Sequence, residues 1–344
     1  GTALAAGDPD GDGDADLVVG APYDPAAGTS AGVIRVYEDA LLGGGSAPDA
    51  TLTGTDANDM AGIALAFLTD GDGDDTPELV VGAYRESTLS GGAGAVYVLD
   101  ALPRDDAPLQ ERAVAIVLGE SSGDFFGRSV ADGGDIDGDG LGDLLVGAYA
   151  ADTGGANTGA AYVFFGPVLD TLLASEADAV RHGTGRSDGA GFGLAGGGDV
   201  DGDGYADFVV GAFNNDDGGY TRGAAYVVRG PVSGTGALGE DATLHGEADN
   251  DSAGRVVALG DLDADGFSDV AVSADANAWG GGGGVWVAYG PLAGVTSLAD
   301  VEARVLGEDR DDAVGEAFVI GGDHDGDGFP ELFVGAPDED TVGR

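Results

Sequence analysis

The chain has 344 residues, of which 63 are Asp or Glu and 13 are Arg; none is Lys or Cys. A formal net charge of −50 excludes nucleic acid and anionic membrane as partners, because both are held by basic patches. Without cysteine no disulfide contributes to stability, and no apolar run reaches the roughly 18 residues that would suggest a spanning helix.

Length alone suggests two or three domains, but the chain repeats. The first predicted strand is the small-residue stretch Thr2 to Gly7. An acidic loop, Asp8–Asp16, leads into Leu17-Val18-Val19-Gly20. A polar connection carrying Ala21-Pro22-Tyr23 leads to Val33-Ile34-Arg35-Val36-Tyr37, and Ala50-Thr51-Leu52-Thr53 ends at Gly54. Short apolar runs with Gly, Pro, Asn and Asp between them read as four strands with turn chemistry.

The acidic loop returns at Asp70, Asp135, Asp199, Asp261 and Asp323, in steps of 62, 65, 64, 62 and 62 residues. A register kept that closely marks a repeat protein. A second signature leads into each following unit, a Gly with Asp five residues on and Gly eight residues on: Gly54/Asp59/Gly62, Gly119/Asp124/Gly127, Gly183/Asp188/Gly191, Gly246/Asp251/Gly254 and Gly307/Asp312/Gly315. Units are therefore drawn at 1–61, 62–126, 127–190, 191–253, 254–314 and 315–344, the last partial.

Second strands such as Leu79-Val80-Val81 and Phe208-Val209-Val210 are continuously apolar, as where both sheet faces are covered. Third strands carry bulk (Val96-Tyr97-Val98, Val285-Trp286-Val287) and first strands are small (Ala64-Leu65-Ala66). Small inside and bulky outside is what radial packing requires. The fold class is all-β, a β-propeller of four-stranded antiparallel blades.

Each loop places carboxylates at positions 1, 3, 5 and 9: Asp8, Asp10, Asp12 and Asp16; Asp70, Asp72, Asp74 and Glu78; Asp135, Asp137, Asp139 and Asp143; Asp199, Asp201, Asp203 and Asp207; Asp261, Asp263, Asp265 and Asp269; Asp323, Asp325, Asp327 and Glu331. Alternate carboxylates with glycine at the turns converge on one point, and a hard cation taking 6–8 oxygens suits that set, Ca²⁺ best. Loop two departs with Asp75 where Gly is expected, and loop five with Ala264. An EF-hand would need Glu at position 12, which here is always Val. Up to six structural Ca²⁺ are expected, with position 7 adding a backbone carbonyl and position 9 a bidentate carboxylate.

The set formed by Phe126-Gly127, Gly20-Ala21-Pro22 and Asp-x-Asp-Gly-Asp-Gly-x-x-Asp resembles the FG-GAP repeat, as in the N-terminal propeller of integrin α subunits and in bacterial surface proteins. The resemblance covers essentially the whole chain. It implies seven blades when intact, of which about five and a half are present, calcium between strands one and two on one face, and ligand loops on the other.

No catalytic set is read. Three His and no Cys leave nucleophile–base pairs scarce, and His182 and His245 occupy a slot filled elsewhere by Leu118 and Leu306. His324, at position 2 of loop six, is expected to point to solvent. The connections after strand two carry Tyr84, Arg85, Tyr149, Phe213, Asn214, Tyr220 and Trp279, the residue types that anchor interfaces; Tyr149 and Phe213 have a second reading as plugs of a central channel. The chain starts in mid-repeat and reads as a fragment of a longer precursor. The expected function is that of a non-enzymatic, calcium-stabilised, extracellular or cell-surface recognition and adhesion propeller, binding protein or glycan opposite the metal loops. The alternative is the non-catalytic propeller of a larger secreted hydrolase or lyase.

Overall fold

The structure is a computed structural model and describes residues 1–38, 47–274, 282–301, 303–309 and 312–337. Its helical content among these is three single 3-10 turns, Leu109–Glu111, Ala174–Glu176 and Leu298–Asp300. All else regular is β, in five sheets of four or five strands and a two-stranded sheet. The chain divides into two compact units, residues 1–135, 139–151 and 162–180, and residues 136–138, 152–161 and 181–344. Sheets one and two belong to the first and sheets four to six to the second.

Sheet four shows the pattern. Ala190–Gly198, Asp207–Ala212, Ala224–Val228 and Ala242–His245 follow one another in an antiparallel meander. The second and third strands are buried at every residue, as their continuous apolar sequence requires. Sheet two repeats this with Glu78–Ala83 and Ala95–Leu99, and sheet five with Asp269–Ala274 and Gly284–Ala288. In sheet one, Asp16–Ala21 alternates buried and half-buried residues. Large third-strand side chains such as Trp286 carry much of the core, each fully buried large apolar side chain contributing about 1.5–3 kcal/mol.

Blades were expected to have four strands, yet sheets one to four have five. The extra strand comes from the following repeat. The stretch between its third and fourth strands reaches back and pairs in parallel with the preceding fourth strand. Ala107–Pro108 lies on Leu52-Thr53, Leu172–Leu173 on Val117-Leu118, and Gly294–Ser297 on Ala242–His245. Consecutive repeats are thus laced by main-chain hydrogen bonds, which also cover an edge that would otherwise invite pairing. The sequence hid these segments because they are short, and Gly294 begins one of them.

The signature glycines sit where repeats meet. A Cβ on Gly20, Gly82 or Gly211 would lie 2.1, 2.2 or 1.9 Å from the carbonyl oxygen of Gly62, Gly127 or Gly254. So these three strand-two glycines pack directly on the Gly that opens the next unit. Phe126 is buried edge-on against Tyr162 and Phe164, with ring centroids 5.3 and 6.3 Å apart. Gly211→Ala should therefore destabilise the fold by about 1–3 kcal/mol, as overpacking does. Chemical denaturation checks this, and Gly204→Ala is no control for it, because Gly204 is held at φ +90°.

Candidate metal centres and recognition loops

The six acidic loops adopt one conformation, held by their own side chains. In loop four, Asp199 at position 1 accepts N–H from Gly202 on Oδ1 (2.6 Å) and from Gly204 on Oδ2 (3.0 Å). Asp203 at position 5 accepts from Tyr205 N (2.9 Å). The same position 5 to position 7 bond recurs at Asp12, Asp74, Asp139, Asp265 and Asp327, at 2.8 to 3.0 Å. Glycines at positions 4 and 6 take positive φ, and the two exceptions found in the sequence, Ala264 (φ +57°) and Asp75 (φ +70°), are forced into the same left-handed region.

Position 9 braces the loop. Its carboxylate is buried in loops one to five. Asp207 Oδ2 accepts N–H from Val200 at 2.8 Å and Oδ1 from Gly230 at 2.9 Å, and Asp269 does the same with Leu262 and Gly290. Each oxygen keeps a second lone pair, so bracing and cation binding are compatible. In loop two Glu78 Oε2 takes Gly71 N at 2.8 Å, while Oε1 is buried without a partner. Burial raises the Glu78 carboxyl above its usual range and Asp207 to about 6.

Carboxylate oxygens of Asp70, Asp72 and Glu78 lie within 4.8 Å of one another, as do those of Asp8, Asp10 and Asp12, and of Asp323, Asp325, Asp327 and Glu331. An all-oxygen, acidic set with one oxygen orphaned in the interior fits a hard divalent cation. The sequence reading missed Asp100, which forms a further group with Asp72 and Asp74. Burial first, then Asp74 and Asp100, push the Asp72 carboxyl up. Neighbouring loops also touch: Leu141 packs on Gly73, Tyr205 on Gly138 and Phe267 on Gly202, so position 7 of one loop covers position 4 of the preceding one.

His324 is exposed, yet it does not simply point away. Its Nδ1 lies 3.3 Å from Glu331 Oε2 and 2.5 Å from Gly322 O, with the ring edge-on to Phe333. His182 Nδ1 sits 2.9 Å from Gly183 O, and burial lowers the His245 imidazole; both act in packing.

At the opposite end of strand two from the acidic loops, the structure gathers Tyr84, Arg85 and Tyr149. Phe125, at φ +59°, stacks on Tyr149 (centroids 5.4 Å, 16°) and meets Tyr84 edge-on (5.6 Å). The exposed Arg85 guanidinium lies 5.7 Å from the Tyr84 ring and 5.9 Å from Phe125. A matching cluster holds Phe213 with Phe192 at 4.7 Å and Arg255 over both rings. Asn214 donates its backbone N–H to Asp188 O (3.1 Å), and Tyr220 is 68% exposed, outside either cluster. Trp279 lies outside the described residues. The sequence reading missed Phe125, Phe192 and Arg255; the first two flank the turn glycines and were readable only as turn residues.

With this geometry in hand, the comparisons with known proteins are consistent. The FG-GAP repeat family matches residues 1–37 and 126–164. Integrin alpha-PS2 of Drosophila melanogaster is 31% identical over 229 residues, 63% of this chain and 15% of that protein. Integrin alpha-V of Gallus gallus is 31% identical over 233 residues, 63% of this chain and 20% of that protein. A crystal structure of BBS1N in complex with ARL6DN, soaked with lead, matches with TM-score 0.50 at 13% identity, over 96% of this chain and 74% of that one, a likeness of fold alone. The matched segments carry FG-GAP repeats, the chain is integrin-α-like over the part compared, and its fold is that of a β-propeller. It spans a fifth or less of the length of these integrin α chains.

The turn acids supply a pH dependence. Asp59 and Asp251 are buried, each with one oxygen bonded to a turn N–H and the other without a partner. Burial raises both to about 6, above the roughly 3.9 of an unfolded chain. Between those values the folded state holds more protons, so stability falls as pH rises through them. The chelated protein should melt higher at pH 5 than at pH 7, and Asp251→Asn should flatten that slope in a calorimetric pH series.

Proposed function

We propose that this propeller is a calcium-stabilised extracellular recognition module, with Ca²⁺ in each of its acidic loops. It engages a protein or glycan through the aromatic and arginine clusters at the far end of strand two. Six repeat units, at the boundaries read from the sequence, belong in this reading to a seven-bladed whole. The observation that carries it is the buried, partnerless Glu78 Oε1 beside Asp70 and Asp72: a cation neutralises the set, and without one the carboxylates repel. Because the ligands converge only in the folded loop, ion binding adds to folding free energy. The loop supplies most of the ligands, which favours a structural ion over a catalytic one.

Calcium at about a hundred times its Kd would add about 2.7 kcal/mol per site. The melting temperature should therefore fall by about 10 °C or more on chelation and return with CaCl2, with Mg²⁺ restoring less. A midpoint indifferent to chelator would overturn the calcium reading. For recognition, protein and glycan arrays should give binders that Arg85→Ala and Tyr149→Ala weaken about tenfold or more, the scale of a truncated interface anchor. Arrays without binders, or binders indifferent to both substitutions, would overturn that assignment.

A further inference from the structure

The acidic loops are not equivalent, and one position outside them sets the difference. The register of the second and third strands pairs Leu17 with Tyr37, Leu79 with Leu99, Phe208 with Val228 and Val270 with Ala288. The residue following each third strand is therefore equivalent across repeats: Glu38, Asp100, Arg229 and Tyr289. In three of these four repeats the slot is seen to bear on position 3 of the adjoining loop, with a different charge each time.

In repeat two the slot holds Asp100, whose carboxylate lies within 4.8 Å of Asp72 and Asp74, and Asp72 also belongs to the Asp70 and Glu78 group. In repeat four it holds Arg229, whose guanidinium lies 3.2 Å from Asp201 Oδ2 and is tied down by donating to Leu292 O. In repeat one it holds Glu38, and Arg104 bridges Glu38 (2.7 Å) to Asp10 (2.9 Å). Asp72, Asp201 and Asp10 are all position 3. Loop two thus has a fifth carboxylate, whereas loops one and four carry a guanidinium on one of their four.

We propose that the residue after the third strand sets the affinity of each cation site. Asp100 is an additional ligand that makes loop two a tight site. Arg229, and Arg104 acting with Glu38, are resident cations that make loops four and one weak sites, closed by a side chain when the metal leaves. The physical ground is ligand charge count, which grades calcium sites over several orders of magnitude. A cation entering loop four must either displace the Arg229 guanidinium from Asp201 or bind beside it against like charge. The inference rests on the calcium reading above and adds an order of filling: in falling calcium, loops one and four empty first and their arginines take over the loads on Asp10 and Asp201.

The test uses the full chain, stripped of metal, with stepwise calcium constants measured by competition with a chromophoric chelator. Asp100→Asn should lower the tightest constant about tenfold, and Arg229→Gln should raise one of the weakest about tenfold, the effect of one unit of ligand charge. Arg229→Lys, which keeps the charge, should leave that constant near wild type. Arg229→Gln should also lower the melting midpoint in chelator while sparing it in saturating calcium, a readout independent of affinity. Asp100 is exposed, so its variant should fold as wild type, with near-UV circular dichroism in calcium as the check. Constants unmoved by both Asp100→Asn and Arg229→Gln, in a protein that calcium does stabilise, would overturn the tuning and leave the calcium reading standing. A wild type that binds no calcium would overturn both.

Discussion

Carboxylate repulsion is the constraint on which this protein is built. Four acids within nine residues, repeated six times, would drive an isolated peptide apart. Here the loops spend that charge on their own backbone. Position 1 gathers N–H groups from among positions 4 to 6, position 5 takes the N–H of position 7, and in loops three to five position 9 ties the loop to the exit of the third strand. Hydrogen bonds from N–H to ionised acceptors are stronger than neutral ones, so the loop is shaped before any ion arrives. What the backbone cannot supply is enough positive charge for the inward oxygens, and Glu78 Oε1 shows the deficit most plainly.

The same economy of backbone holds the repeats together. Glycine meets glycine where strand two of one unit touches the opening turn of the next, close enough that a methyl group would fall inside a carbonyl oxygen. Short parallel strands lace the fourth strands of sheets one, two and four to the following repeat. Leu141, Tyr205 and Phe267 carry contact from loop to loop across glycines. A disturbance in one acidic loop therefore reaches its neighbour through a packed side chain as well as through charge.

At the other end of the strands the chemistry reverses. The chain spends few of its 13 cationic residues, yet Arg85 and Arg255 each lie over two aromatic rings. A guanidinium over rings keeps its charge available while its plane is held. Against so acidic a background these are local positive, aromatic spots on loops carried by a rigid sheet, the arrangement in which recognition residues commonly occur.

Much of this was legible in the linear chain because the repeat reports on itself. The spacing of Asp8, Asp70, Asp135, Asp199, Asp261 and Asp323 marked the chain as a repeat. Unbroken apolar second strands and bulky third strands determined the layered all-β class, and the alternation of acid and glycine determined the loop. The strand and loop patterns are local, decided by residues a few positions apart, and the repeat needs only a count along the chain. Tertiary structure alone decided what depends on distant partners: that Asp100 joins Asp72, that Arg229 reaches Asp201, that Phe125 rather than its neighbour Phe126 meets Tyr149, and that a fifth strand is borrowed from the next repeat. Those contacts join residues whose meeting is set by strand register and blade packing, and neither is written in the identity of any single residue.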